Sequence, residues 1–317
     1  MTQYMYYINY QDYEKDLCDL EMRALFNRPI ETKTFFSDQR IDESLSPYFK
    51  SRLEILLEAN NLEDLIHKIS KKNYTEEEFK VIYLSVIKPD PMEKERKAIT
   101  KAIGYAFEGL PSFDHPVNTY GVTHYNSKWY FGILVYNTMH WKKHKSKPNS
   151  YSSSLSLNTA KAILNVANRG DTSKKIIDPC CGVGTVLLEG HFSGYDITGC
   201  EINYKVAIKA RDNLKHYGYR GQVIHKDIKD LDEFYDAAVV DLPYGNSSES
   251  NEVDMMDIIH HAARISKRQV LVSSIDLTKK ISAEGLVIVD RAVVYKNKSK
   301  RFMRYIWVCE GKEENYE

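Results

Sequence analysis

Two different rhythms of apolar and polar positions divide the chain. From Leu155 onward, short apolar runs alternate with helical stretches. Leu157, Ala160, Leu164 and Ala167 recur at helical spacing. Lys175–Ile177 predicts a strand ending at Asp178, a helix follows Gly184, and a further strand leads to Cys200. Tyr204–Tyr217 predicts a helix, Gln222–Lys226 a strand, Ala237–Val240 a buried strand, Asp254–Ile265 a helix and Gln269–Ser273 a strand. Strands that alternate with helices predict an α/β unit, a parallel sheet covered on both faces. Two β runs close it, Leu286–Tyr295 and Phe302–Cys309, and their short basic connection predicts an antiparallel hairpin.

Before residue 148 the rhythm is mixed, as in an α+β unit. Tyr4–Tyr10 reads as β, Tyr13–Phe26 as helix, and Tyr48–Ile69 as one long helix. Phe79–Ile87 reads as β, Glu93–Phe107 as helix and Lys128–Tyr136 as an aromatic strand. Lys147–Ser154, rich in Ser, Pro and Asn, is a linker or a binding loop. The expected domains are therefore 1–147 and 148–317.

A length of 317 residues with 43% hydrophobic positions suits two folded domains and excludes wholesale disorder. No apolar run approaches the ~20 residues that span a bilayer, and the first residues lack a signal-peptide pattern. The expectation is a cytoplasmic protein without a membrane partner. Five scattered cysteines fit reduced packing residues, and no metal-ligand spacing is present. Formal net charge is zero, but two basic runs stand out. Lys142, Lys143, Lys145 and Lys147 form one; Lys298, Lys300 and Arg301 belong to the other. Each reads first as a solvated loop. Their position on either side of the chemistry-bearing segment makes them candidate phosphate contacts. Trp141 and Phe302, beside these runs, read as core packing before base stacking.

The chemistry-bearing positions fall at the carboxyl ends of the predicted strands, where open α/β sheets bind ligands. The first is Asp178-Pro179-Cys180-Cys181-Gly182-Val183-Gly184-Thr185. Gly182 and Gly184 allow a sharp turn and close approach to a ligand. The acid at its head repels a diphosphate but suits the ammonium of a methionine moiety, which disfavours a nicotinamide oxidoreductase. Glu201 can accept from ribose hydroxyls, although dinucleotide enzymes place an acid there too. Asp227, at the third strand end, can accept from an adenine amine. Singly, each acid reads as an exposed loop residue or a helix cap; three in register with successive strand ends read as a cofactor site. Asp178, Cys180, Gly182, Gly184, Thr185, Glu201 and Asp227 are the candidate contacts.

A fourth strand ends in Asp241-Leu242-Pro243-Tyr244-Gly245. An exocyclic amine on a base is a poor nucleophile, since its lone pair is delocalised into the ring. Asp241 and the Leu242 carbonyl can accept the two amine hydrogens, while Tyr244 stacks on the base behind Pro243.

With these motifs the chain resembles the tRNA guanine N2-methyltransferase family, in which a class I Rossmann-like methyltransferase domain follows a THUMP-bearing region. The resemblance rests on Asp178–Thr185, Glu201, Asp227, Asp241–Gly245 and the upstream Ser154–Ala160, and more loosely on Tyr48–Tyr83. It implies S-adenosylmethionine as cofactor, guanine N2 in tRNA as acceptor and a ferredoxin-like/THUMP-like RNA-binding N-terminal half. Some family members also work with a small activator subunit. Leu242 departs from the family's usual second proline, and the N-terminal half is short for both pieces. A DNA amino-methyltransferase and a non-catalytic nucleic-acid binder with a relict fold are the alternatives.

Overall fold

The computed structural model describes residues 2–75, 77–243, 249–295, 298 and 302–311, with side chains omitted for 249–253. Tyr244, Gly245, Lys300 and Arg301 lie outside the described residues. In chain order the first elements are β1 (Gln3–Ile8), α1 (Lys15–Phe26), β2 (Thr34–Ser37), β3 (Phe49–Ala59) and α2 (Leu62–Lys72). There follow β4 (Phe79–Tyr83), α3 (Arg96–Gly104), β5 (Asn118–Tyr125) and β6 (Lys128–Tyr136). Then come α4 (Leu157–Asn168), β7 (Lys175–Asp178), α5 (Thr185–Phe192), β8 (Asp196–Cys200), α6 (Tyr204–His216) and β9 (Gln222–Ile224). The last are β10 (Tyr235–Asp241), α7 (Glu249–Ile265), β11 (Ser266–Ser273), α8 (Thr278–Ala283), β12 (Val287–Tyr295) and β13 (Met303–Glu310).

Two compact units result. The first comprises 1–9, 30–44 and 48–138; the second comprises 10–29, 45–47 and 139–317. The observed division thus differs from a single cut at 147/148. It falls after Thr138, and it gives α1 to the second unit.

In the first unit the sheet order is β2-β1-β3-β6-β5-β4, antiparallel except for the β4–β5 pair. Phe79, Phe107, Tyr120 and Phe131 form an aromatic core, with Phe79 and Phe107 stacked 4.3 Å apart. The expected helix Tyr48–Ile69 is replaced by β3 and α2. Phe49–Ala59 pairs along its length with β1 on one edge and β6 on the other. That ladder outweighs the helix-like spacing of its leucines, because strand partners on both edges take up its backbone hydrogen bonds. The break is local and was legible: Asn61 accepts from the Asp64 amide and starts α2. Strands β2 and β5 carry little strand signal in the sequence, the first being four residues long and the second largely polar.

In the second unit the sheet order is β12-β13-β11-β10-β7-β8-β9. Strands β7 to β11 run parallel, and β13 pairs antiparallel with both β11 and β12. This is the class I Rossmann-like α/β fold with its C-terminal hairpin. Strand order reverses between β7 and β10, so a crevice opens at their carboxyl ends. No helix among the described residues is long and apolar enough to cross a membrane.

Helix α1 covers α4. It buries Leu17, Cys18, Leu20, Met22, Leu25 and Phe26, together with Glu21, which is fully buried. The Glu21 carboxylate accepts from Ser46 Oγ and Asn165 Nδ2. Burial nonetheless pushes its carboxyl up to about 7, from an ordinary 4.5. A raised carboxyl pKa means that the folded state binds the proton more tightly than the unfolded chain. Stability from this group is therefore greatest below about pH 4.5 and falls as pH rises to 7, by about 3 kcal/mol. Glu21→Gln keeps both hydrogen bonds, since the Ser46 hydroxyl can turn to accept. The variant should melt above wild type at pH 8, with the gap closing towards pH 5.5. Parallel melting curves at the two pH values would show that Glu21 carries no such penalty.

Candidate active site

Asp178 ends β7 and Asp241 ends β10, on the neighbouring strands at the point of reversal. Between them lies a cavity of about 230 Å³. Asp178, Cys180, Gly182 and Thr185 line one side; Asp241, Leu242 and Pro243 line another. Tyr151, Ser153, Ser154 and Leu155 also line it, so the Lys147–Ser154 stretch is part of the site's wall.

The loop after β7 is held by its neighbours. The Cys181 amide donates to the Cys200 carbonyl at 2.9 Å, and the Gly182 amide donates to Glu201 Oε2 at 3.0 Å. Gly182 has φ +53°, and a Cβ built there would meet nothing within 4 Å. Its open face belongs to the cavity. Gly184, at φ +80°, does not line the cavity but is the N-cap residue of α5. Gly199 on β8 allows the loop to pack down: a Cβ there would stand 2.5 Å from Leu187 Cδ1 and 3.1 Å from Cys181 Sγ.

The other two acids sit outside the cavity lining. Glu201 lies behind the loop, with Oε1 accepting from the Asn203 amide at 2.8 Å. Each of its oxygens keeps a lone pair for a further donor. Asp227 caps the turn that follows β9, accepting from the Lys229 amide at 3.2 Å. Burial opposes its ionisation, yet the Lys229 amide and ammonium hold its carboxyl below the ordinary value.

Asp178 is 2% exposed. Burial pushes its carboxyl well up, and the charges of Asp241 and Glu201 push the same way; the Cys180 amide, 3.3 Å away, pulls against them. Burial and Asp178 likewise raise the Cys180 and Cys181 thiols, so neither is an activated nucleophile. The Thr185 hydroxyl is buried with no hydrogen-bond partner among the described residues. The site thus presents a crowded set of carboxylates, an orphaned hydroxyl and an open backbone face. A ligand with a positive group and hydrogen-bonding ends fits all three.

The basic run at 140–147 is not a solvated loop. It forms a 3₁₀ turn, His140–Ser146, whose period of three puts Trp141 and His144 inside. His144 is fully buried between Glu189 Oε1, 2.7 Å, and the Tyr219 hydroxyl, 2.9 Å. Lys147 is half-buried, and burial lowers its pKa. Lys143 lies over the rings of Tyr217, Phe192 and Tyr219, 5.7 to 5.8 Å from each. Lys142 and Lys145 are exposed, as is Lys298. Trp141 is 1% exposed and Phe302 38%, the latter beneath the Arg304 guanidinium.

Sequence reading also missed Arg304 as a structural part of the site. Its side chain, 3% exposed, donates to the Ser153 carbonyl at 2.9 Å and fixes the cavity wall from β13.

The family described as UPF0020, RMKL-like, methyltransferase domain, matches residues 145–275. The matched stretch runs from the end of the basic turn to just past β11 and contains Asp178, Glu201, Asp227 and Asp241. Over 112 residues the chain is 38% identical to a tRNA (guanine(10)-N2)-dimethyltransferase of Methanothermobacter thermautotrophicus, covering 34% of this chain and 32% of that one. A protein of the same name from Methanocaldococcus jannaschii is 34% identical over 102 residues, covering 28% of each chain. The match therefore spans about a third of the length of these curated relatives. The solved structure of TrmN from Thermus thermophilus aligns with 98% of this chain and 100% of its own, at 13% identity and a TM-score of 0.48.

Asp178 carries a like-charge burden beside Asp241 and Glu201. Asp178→Asn retains the acceptor for the Cys180 amide and removes the charge. Thermal melting of the ligand-free variant above neutral pH should show a gain of about 1 kcal/mol, the scale for an uncompensated buried group. An unchanged or lower melting temperature would show that the carboxylate is not strained.

Proposed function

We propose that the chain is an S-adenosylmethionine-dependent methyltransferase acting on an exocyclic base amine, guanine N2 in tRNA. The observation that carries this reading is the cavity in which Asp178 and Asp241 meet at the ends of β7 and β10. The relatives named for tRNA guanine N2 dimethylation support the choice of acceptor.

When bound, S-adenosylmethionine supplies the electrophilic methyl group. Asp178 accepts from the ammonium of its methionine end, which relieves the carboxylate crowding, and the open Gly182 face and Thr185 hydroxyl receive the rest of that end. Glu201 accepts from the ribose and Asp227 from the adenine amine. On the opposite wall, Asp241 and the Leu242 carbonyl accept the amine hydrogens, aiming the nitrogen lone pair into the cavity. The Leu242 amide is bonded to the Val272 carbonyl at 2.9 Å, which fixes this segment to β11. Leu242 is 1% exposed, so the side chain packs inward where the family has proline and the backbone remains available. Stacking by Tyr244 completes the site. The base must leave its stack to reach it. Docking of the RNA is assigned to the first unit, helped by phosphate contacts from Lys142, Lys143, Lys145, Lys147, Lys298, Lys300 and Arg301 of the second.

Labelled methyl transfer to bulk tRNA and to duplex DNA, followed by nucleoside analysis, tests the reading; label confined to DNA, or none at all, refutes it. Glu201→Ala should raise the Kd for S-adenosylmethionine about tenfold, the effect of losing one hydrogen bond to a charged group. Calorimetry showing wild-type affinity would remove Glu201 from the site. Asp241→Ala should lower kcat by at least tenfold and leave cofactor affinity within about twofold, because it acts on the acceptor amine. Retention of more than about a tenth of wild-type turnover would contradict that role.

A further inference from the structure

A second cavity, of about 520 Å³, lies wholly within the second unit. It shares Leu155 with the first: Tyr151–Leu155 borders one and Leu155–Thr159 the other. Arg304 lines the second cavity while donating to carbonyls of the wall of the first. One stretch of chain therefore separates two pockets. The second lies within the ~300–1,000 Å³ range of small-ligand sites.

Its chemistry is distinct from that of the first. Lys142, Lys145, Lys147 and Arg304 face a single lining carboxylate, Glu14. Glu14 is 7% exposed and accepts from Asn158 Nδ2 at 2.8 Å, which fixes the Asn158 amide. Tyr13 and Trp141 supply ring surface. The Trp141 indole N–H is buried without an acceptor among the described residues. Cations, ring surface, a fixed amide and an unsatisfied donor in one pocket match an anionic ligand with a flat polar body. A nucleotide is such a ligand, with the phosphate met by the ammoniums and the base by the rings and amide.

We propose that this cavity receives a nucleotide flanking the methylated one in the same RNA strand, with its phosphate on Lys142 and Lys145 and its base edge on Asn158. The proposal rests on the RNA methyl-transfer reading above. Leu155 lines both cavities, so a strand whose base enters the first can reach the second across it. Glu14 is a positioning residue that acts through Asn158.

The test uses the full chain, a fluorescein-labelled tRNA transcript and transcripts altered on either side of the methylated nucleotide. Lys145→Ala should weaken binding about tenfold, the effect of one charge-assisted hydrogen bond, and lower the salt slope by roughly 0.7, as expected for one contact to a single strand. Asn158→Ala should narrow the difference in KM among the altered transcripts, with kcat and S-adenosylmethionine affinity each moving less than about twofold. Asn158→Gln, which retains the amide, should recover part of the discrimination. If wild type methylates tRNA and both alanine variants match it in affinity, salt slope and discrimination, the second cavity is not a nucleotide site. If wild type itself neither binds nor methylates tRNA, the underlying reading fails and this assignment fails with it.

Discussion

The close approach of two carboxylates at the point where the second sheet reverses its strand order governs the site. Strands β7 and β10 are far apart in sequence but hydrogen-bonded in the sheet, and each ends in an aspartate. Asp178 is buried beside the charge of Asp241, an arrangement that is costly without a compensating cation. The surrounding structure holds it in place. The Cys181 and Gly182 amides pin the loop to β8 and Glu201, while the Leu242 amide pins the opposite wall to β11. Strain held by neighbours in this way marks sites where binding, not folding, uses the charge.

The second unit does not begin where its site motifs begin. Helix α4 is buried at every position from Thr159 to Asn168, and α1 covers part of it. The contact is specific as well as apolar. Asn165 bonds to Glu21, Asn158 to Glu14, and Arg23 forms a paired contact with Asp290 on β12, both bonds 2.9 Å. A chain starting near residue 150 would leave α4 uncovered and Asn165 without its carboxylate. The N-terminal segment thus contributes directly to the unit that carries the chemistry, and through Tyr13 and Glu14 it lines the second cavity.

Charge in this protein is distributed by backbone geometry more than by composition. The 3₁₀ turn at 140–146 separates its residues by their period: Trp141 and His144 point inward, while Lys142 and Lys145 remain exposed. His144 then joins Glu189 and Tyr219 in a buried hydrogen-bonded set, and Lys161 bonds Ser193 beneath it. A basic run in sequence becomes a buried polar network on one side and a positive face on the other.

The sequence alone determined the alternation of strands and helices after Leu155, the hairpin at the end, and the acids at successive strand ends. Those features are local: apolar runs bounded by glycines and acids report parallel buried strands without any partner being known. It did not determine β3, because Phe49–Ala59 is extended only by virtue of β1 and β6 on its two edges. Nor did it reveal that α1 belongs with α4, that Arg304 holds the wall of the site, or that Leu155 divides two cavities. These depend on residues more than a hundred positions apart meeting in space, and hydrophobic period carries no information about which faces meet. Tertiary packing decided them, through burial of α4 and through the sheet order that sets Asp178 against Asp241.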